Sequence, residues 1–199
     1  GVGVPRKHKT DSEAGVTAVT DEEMIMRVSQ GDATAFETLV DHYQKSALRV
    51  AQRCIGQLAE AEDLVQETFL QIHHHAHQYD SETASFKTWF FSILINLCRN
   101  ALKRNRSLSF IELPEDAPAI DDPESDFAHE EERVALAAAM AKLPPNQRLA
   151  LILRHYEGFS YSEAAAALGL STQAFASLLA RAKRSLRREL AEFEKKSSD

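Results

Sequence analysis

An all-α chain, made of two small helical domains joined by a flexible acidic linker, is what this sequence predicts, on three observations. Apolar residues recur at helical spacing through residues 20–106 and again through 128–192, and no stretch alternates with period two. Between these blocks Pro114, Pro118 and Pro123 stand among carboxylates without a helical period. Charge is also partitioned. Residues 107–132 hold ten acidic groups and no basic one, although the whole 199-residue chain is only −7. The sum therefore hides two basic clusters, Arg99, Lys103, Arg104, Arg106 and Arg181, Lys183, Arg184, Arg187, Arg188, each closing a helical stretch.

The expected organisation is a disordered leader or cloning remnant over 1–19, a first module over 20–106, the linker over 107–127, a second module over 128–192 and a tail over 193–199. At 44% apolar residues the chain can bury a core in two small modules. No apolar run nears the roughly 18 residues of a membrane span, and Asn96 breaks the best one, Phe90 to Cys98. No secretory signal core is visible in the first twenty residues, so a cytoplasmic protein is expected, with no membrane insertion. Cys54 and Cys98 sit in apolar helical patterns without a CxxC partner, which suits buried free thiols in a reducing compartment.

In the first module Thr20 and Glu23 form a capping box before a short helix that Gly31 stops. A second helix runs from about Thr34 to Ile55 and ends at Gly56, a third from about Ala59 to His75, and a fourth from about Ser85 to Asn105. The third buries Leu64, Thr68 and Ile72. Its other side carries Asp63, Gln66, Glu67, Leu70 and His74, either a solvated face or, given an outward Leu among acids, a docking surface for a basic, partly apolar partner. The fourth gathers Phe90, Phe91, Leu94, Cys98, Ala101 and Leu102 on one side and Trp89, Ser92, Asn96, Arg99, Asn100 and Lys103 opposite. A tryptophan among amides and cations suits single-stranded nucleic acid: the ring stacks on a base, Asn bonds base edges, and Arg and Lys hold phosphates. The alternative is that Trp89, near the helix start, is a packing residue. His73 and His77 are four apart, but no third ligand at suitable spacing completes a metal site, so no metal and no cofactor are expected.

In the second module a helix from about Ala128 to Lys142 closes at Leu143-Pro144-Pro145. Another spans about Asn146 to Tyr156, before Gly158. Ser160 and Glu163 then form a capping box ahead of Ala164 to Leu168, and a Gly169-Leu170-Ser171 turn leads to a long basic helix capped by Ser171. A short Ala-rich helix, a Gly turn and a basic helix make a helix-turn-helix pattern. On the last helix Phe175, Leu178, Leu179, Ala182 and Leu186 turn inward. Gln173, Ser177, Ala180, Arg184 and Arg188 face out, flanked by Arg181 and Arg187, with small and amide groups where a recognition helix meets bases and cations behind them for phosphates.

The stretches AEDLVQETFLQI, FKTWFFSILINLCRNALKR and LPPNQRLALILRHYEGFSYSEAAAALGLS, in this order and separation, resemble the bacterial sigma-70 family, specifically its extracytoplasmic-function (ECF) group. The resemblance spans about residues 22–192. It implies that 20–106 is sigma region 2 and 128–192 is region 4. Asp63, Gln66, Glu67 and Leu70 would then meet the β′ clamp helices of RNA polymerase core, whose β subunit is a further contact. The loop from about Gln78 to Phe86 and the helix after it would capture flipped bases of the −10 element, with Trp89, Asn96, Arg99, Asn100, Lys103 and Arg104 along that path. Gln173, Ser177, Arg181 and Arg184 would read the −35 element, and the acidic linker would thread basic channels of the polymerase. The resemblance also implies control by an anti-sigma factor. It departs from the family at Ala176 and Leu178, where members usually carry basic residues.

Binding energy, not covalent chemistry, would do the work: no P-loop, GxSxG or paired-carboxylate site is present. Two other classes fit parts of the pattern. One is a stand-alone helix-turn-helix regulator that binds palindromic DNA as a dimer; the other is a helical metalloprotein using the His cluster.

Overall fold

The computed structural model describes residues 18–108 and 127–197, so nearly all of the expected leader and linker lie outside the described residues. Among the described residues the chain is helical throughout. The elements are α1 (Asp21–Ser29), α2 (Ala33–Ile55), α3 (Leu58–His75), α4 (Phe86–Leu108), α5 (Phe127–Lys142), α6 (Pro145–Leu151), α7 (Tyr161–Leu168) and α8 (Thr172–Ser197). Short helical turns extend two of them: a 3₁₀ turn, Ala76–Gln78, follows α3, and a π turn, Ile152–Tyr156, follows α6.

Local chemistry accounts for most boundaries. The Thr20–Glu23 and Ser160–Glu163 capping boxes both form, each pair satisfying two backbone donors reciprocally. Asp32 accepts from the Ala35 amide to start α2, and Ser85 accepts from the Thr88 amide to start α4. Gly56 and Gly169 end α2 and α7 in the left-handed conformation, φ 85° and 70°, which only glycine adopts without strain. Three expectations shift. Helix α4 continues to Leu108, α8 runs through most of the expected tail to Ser197, and the single helix expected over Asn146–Tyr156 is α6 followed by a π turn.

Module one packs α1 to α4 around Phe86, Phe90, Phe91, Phe69 and Tyr43, whose rings meet at 5.0 to 6.3 Å. Two polar bonds brace it. The Tyr43 hydroxyl donates to Asp21 at 2.5 Å, and the Phe86 amide donates to Glu22 at 2.9 Å, so α1 caps α4. Burial and the neighbouring Asp21 push the Tyr43 hydroxyl far above its ordinary range, which keeps it a donor. In module two α5, α6 and α7 pack against α8 around Leu149, Ile152, Leu153, Phe175 and Leu179.

The modules are not two separated bodies. One continuous apolar cluster runs through both, and α4 packs along α7. Helical periodicity placed Phe91 on the inner side of α4 but could not show that it has two covers. Ile95, which that pattern leaves out of the inner set, is also fully buried. Cys54 and Cys98 are buried free thiols, and the neighbouring Cys54 thiol together with burial pushes the Cys98 thiol up.

The α7 cap offers a direct test. The Ser160 amide donates to the Glu163 carboxylate at 2.8 Å, and the Glu163 amide donates back to Ser160 Oγ at 3.1 Å. Ser160→Ala is expected to cost about 1 kcal/mol in urea unfolding. The backbone bond from Ser160 holds the Glu163 carboxyl below its usual range. Its folded pKa lies under the unfolded one, so its contribution is present at neutral pH and fades as pH falls through the folded pKa. The cost of Glu163→Gln should shrink across that acid window, whereas Ser160→Ala keeps the backbone amide and should cost much the same throughout.

Candidate polymerase and nucleic-acid interfaces

On α3 the residues Asp63, Gln66, Glu67 and Leu70 are all exposed, at spacings of three, one and three, while Ala61, Leu64, Val65, Thr68, Phe69 and Ile72 are buried. The four candidates therefore share one face. Leu70 is 53% exposed. Around it Gln71 donates to Glu67 at 3.0 Å and His74 Nδ1 lies 2.8 Å from the Leu70 carbonyl, so the acidic face has an ordered border. Glu67, Leu70, Gln71, His74 and His75 line a shallow groove there. His73 instead lies edge-on to Phe36 at 5.0 Å, and His77 falls in the 3₁₀ turn beyond α3.

On α4 the candidate polar face is open. Asn96, Asn100, Lys103 and Arg104 are exposed, and Arg99 is half-buried, its Nη1 donating to Asn96 Oδ1 at 3.2 Å. The Arg99 Nε is cut off from solvent and has no hydrogen-bond partner. Trp89 serves partly as a packing residue: it is half-buried, with its ring 5.2 Å from Tyr79 and 6.1 Å from Phe86. The part of the ring left open is held in place by these two neighbours.

The loop before α4 is built to hold its shape. Asp80 accepts from the Glu82 amide at 3.0 Å and from the Thr83 hydroxyl at 2.8 Å, bonds that hold its carboxyl below the ordinary range. Tyr79 donates to the Ala84 carbonyl at 2.9 Å, closing the loop, and burial beside Glu22 and Asp80 pushes its hydroxyl up to about 12.

In module two, α7, the Gly169 turn and α8 form the helix-turn-helix. Ser171 Oγ accepts from the Ala174 amide at 3.1 Å. Gln173, Ser177, Arg181 and Arg184 are all exposed on one side of α8, with Arg187 and Arg188 beyond them, and Phe175, Leu179 and Ala182 are buried opposite. Leu178 turns inward, as its place on the apolar stripe predicts. It is 7% exposed and belongs to the core, so a cation at that position would not face DNA, and its lack of charge removes nothing from the outer face.

Sequence reasoning missed the residues that join the modules. Arg49 and Arg53 of α2 both reach Glu157, Lys87 of α4 lies over the Phe159 ring, and Arg148 of α6 donates to the Cys54 carbonyl. Only the i, i+4 spacing of Arg49 and Arg53 was available as a signal, and nothing in it points to a carboxylate more than a hundred residues away.

Comparison with known proteins agrees with this architecture. The family model for sigma-70 region 2 matches residues 39–108, and that for sigma-70 region 4 matches residues 133–186. The chain belongs to the sigma-70 family, among its ECF sigma factors. It is 32% identical over 166 residues to the ECF RNA polymerase sigma factor SigE of Mycolicibacterium smegmatis, an alignment covering 81% of this chain and 64% of that protein. With the RNA polymerase sigma-H factor of Pseudomonas aeruginosa it shares 30% identity over 161 residues, 75% of this chain and 83% of the relative. Among solved structures, CnrH in complex with the cytosolic domain of CnrY is similar with a TM-score of 0.67 at 25% identity, covering 86% of this chain and 97% of that one. The sigma factor RpoE bound to the anti-sigma factor NepR, from Bartonella quintana, gives 0.64 at 25% identity, covering 78% and 96%. Among the described residues no helix is long and apolar enough to cross a membrane.

Proposed function

We propose that this chain is a cytoplasmic initiation factor that binds core RNA polymerase through the α3 face, directs it to promoters and helps melt them, working by binding alone. The −10 element would be captured between the Tyr79–Ser85 loop and the α4 face of Trp89, Asn96, Arg99, Asn100, Lys103 and Arg104. The −35 element would be read by Gln173, Ser177, Arg181 and Arg184 on α8. The observation that carries this reading is that the acidic-apolar α3 face and the amide-cation α4 face are both open to solvent on one helical module. Extruding a base costs a few kcal/mol, which stacking on an aromatic ring and bonds to base edges offset. Joining two weak DNA grips in one chain raises their effective concentration once polymerase sets the spacing. An anti-sigma factor is the expected regulator, since the similar sigma factor RpoE of Bartonella quintana is bound by the anti-sigma factor NepR.

Run-off transcription with purified core polymerase across a promoter library tests the reading. Specific transcripts should appear only when the chain is added, and the chain alone should footprint the same DNA weakly. Tight, polymerase-independent binding to a palindrome would support the dimeric regulator instead.

A further inference from the structure

The loop before α4 is tied to the first helix of the module by one carboxylate. Its other bonds are local. The Tyr79 hydroxyl donates to the Ala84 carbonyl at 2.9 Å, and Ser85 Oγ accepts from the Thr88 amide at 3.2 Å. The Glu22 bond is of another kind: its Oε1 accepts from the Phe86 amide at 2.9 Å, across 64 residues of chain. The first turn of α4, Phe86-Lys87-Thr88-Trp89, has a lysine and no acid of its own, where a helix start favours negative charge. Glu22, half-buried, supplies that charge from α1 through a charge-assisted bond. Its neighbour Glu23 has a separate task, accepting from the Thr20 amide at 3.1 Å to close the capping box of α1 itself.

The residue that Glu22 holds is also the floor of the candidate capture surface. Phe86 is fully buried, and its ring lies 6.1 Å from both Tyr79 and Trp89, which are themselves 5.2 Å apart. Fixing the Phe86 amide therefore fixes the three rings from which the open part of Trp89 is presented. Burial and the nearby Glu22 charge also keep the Tyr79 hydroxyl a donor to the loop.

We propose that Glu22 is a positioning residue for base capture: from α1 it sets the Tyr79–Ser85 loop and the Trp89 ring in the geometry that receives an extruded base, without itself meeting nucleic acid. The proposal rests on the sigma reading of that loop. Extruding a base is costly, and a receiving surface that is correctly placed only part of the time captures it less often by that fraction.

The test compares Glu22→Ala, Glu22→Gln and Glu23→Ala in the full chain. Glu23→Ala is the matched control, because it weakens α1 without touching α4. Holoenzyme is mixed with promoter DNA carrying 2-aminopurine in its −10 element, whose fluorescence rises when the base leaves the stack. At saturating DNA, Glu22→Ala should slow that rise by about tenfold, with core binding changed by less than about twofold. Glu22→Gln keeps the acceptor and loses the charge, so it should stay within about threefold of the parent. Glu23→Ala should match the parent rate within about twofold. In the free chain Trp89, the one tryptophan, gives a second readout. Its quenching by acrylamide should rise by about twofold in Glu22→Ala and remain at the parent level in Glu23→Ala.

Equal losses in Glu22→Ala and Glu23→Ala would make Glu22 a residue of the fold alone and overturn the proposal, as would a Glu22→Ala holoenzyme that extrudes the base at the parent rate. A parent holoenzyme that never extrudes it would sink the sigma reading, and Trp89 quenching would then decide by itself whether Glu22 sets the loop.

Discussion

Replacing Arg148 with alanine is expected to destabilise the protein by about 3–5 kcal/mol, the loss typical of removing one partner from a buried, hydrogen-bonded charge. Arg148 is 8% exposed. Its Nε donates to the Met140 carbonyl at 2.9 Å, its Nη2 to the Leu143 carbonyl at 3.4 Å and to that of Ala141, and its Nη1 to the Cys54 carbonyl at 2.5 Å. Those oxygens sit at or just past the C-terminal turns of α5 and α2, where a helix leaves carbonyls without amide partners and carries partial negative charge. One guanidinium thus caps two helices from different modules. Alanine would strand these acceptors and open a cavity beside Cys54. Lysine would rescue little, because a point charge on a flexible stem cannot reproduce the planar fork. At roughly 2–4 °C per kcal/mol for a chain of this size, the melting temperature should fall by about 10 °C. A shift below about 2 °C in calorimetry, with matching denaturant midpoints, would show that the fork is dispensable.

The second large effect concerns the α3 face. Glu67→Lys with Leu70→Asp is expected to weaken binding to core RNA polymerase by at least about 100-fold, or roughly 2.7 kcal/mol, while the melting temperature stays within about 2 °C. Both side chains are solvent-exposed, so neither holds the fold. Leu70 is an exposed apolar side chain that shares its face with Asp63, Gln66 and Glu67, and in the proposed interface it would be the anchor inside an acidic rim. The double change removes the anchor and inverts the rim beside it. Fluorescence titration with labelled core reads the affinity, and undiminished binding would move the docking surface elsewhere on the chain.

Much of this architecture was legible because it is local. Capping residues such as Thr20 with Glu23 and Ser160 with Glu163 act within one turn, and the apolar stripes of α3 and α8 report their own buried faces. The exposed set Asp63, Gln66, Glu67, Leu70 follows from the same periodicity. The α8 stripe also places Leu178 inward, although family members usually carry a basic residue there. The seam was not legible at all. Arg148 in a run of Leu and Ala looks like an ordinary solvated cation until three helices converge on it, and Glu157 gains its meaning only from arginines far away in the chain. The π turn is hidden for the same reason: its wide hydrogen bonds answer to tertiary packing, not to the propensity of Ile152-Leu153-Arg154-His155-Tyr156.

That wide turn carries a consequence for how such a chain can vary. A π turn accommodates one residue more than an α-helical path of the same pitch, so losing a single position between Leu151 and Tyr156 would let the segment relax into regular α-helix. Everything downstream would keep its orientation relative to α6, because the turn only takes up the extra residue. The helix-turn-helix would keep its own interior, and Glu157 and Phe159 would stay within reach of α2 and α4. A lineage could therefore shed or gain one codon at this turn and still keep its halves joined, a tolerance that the regular helices on either side lack.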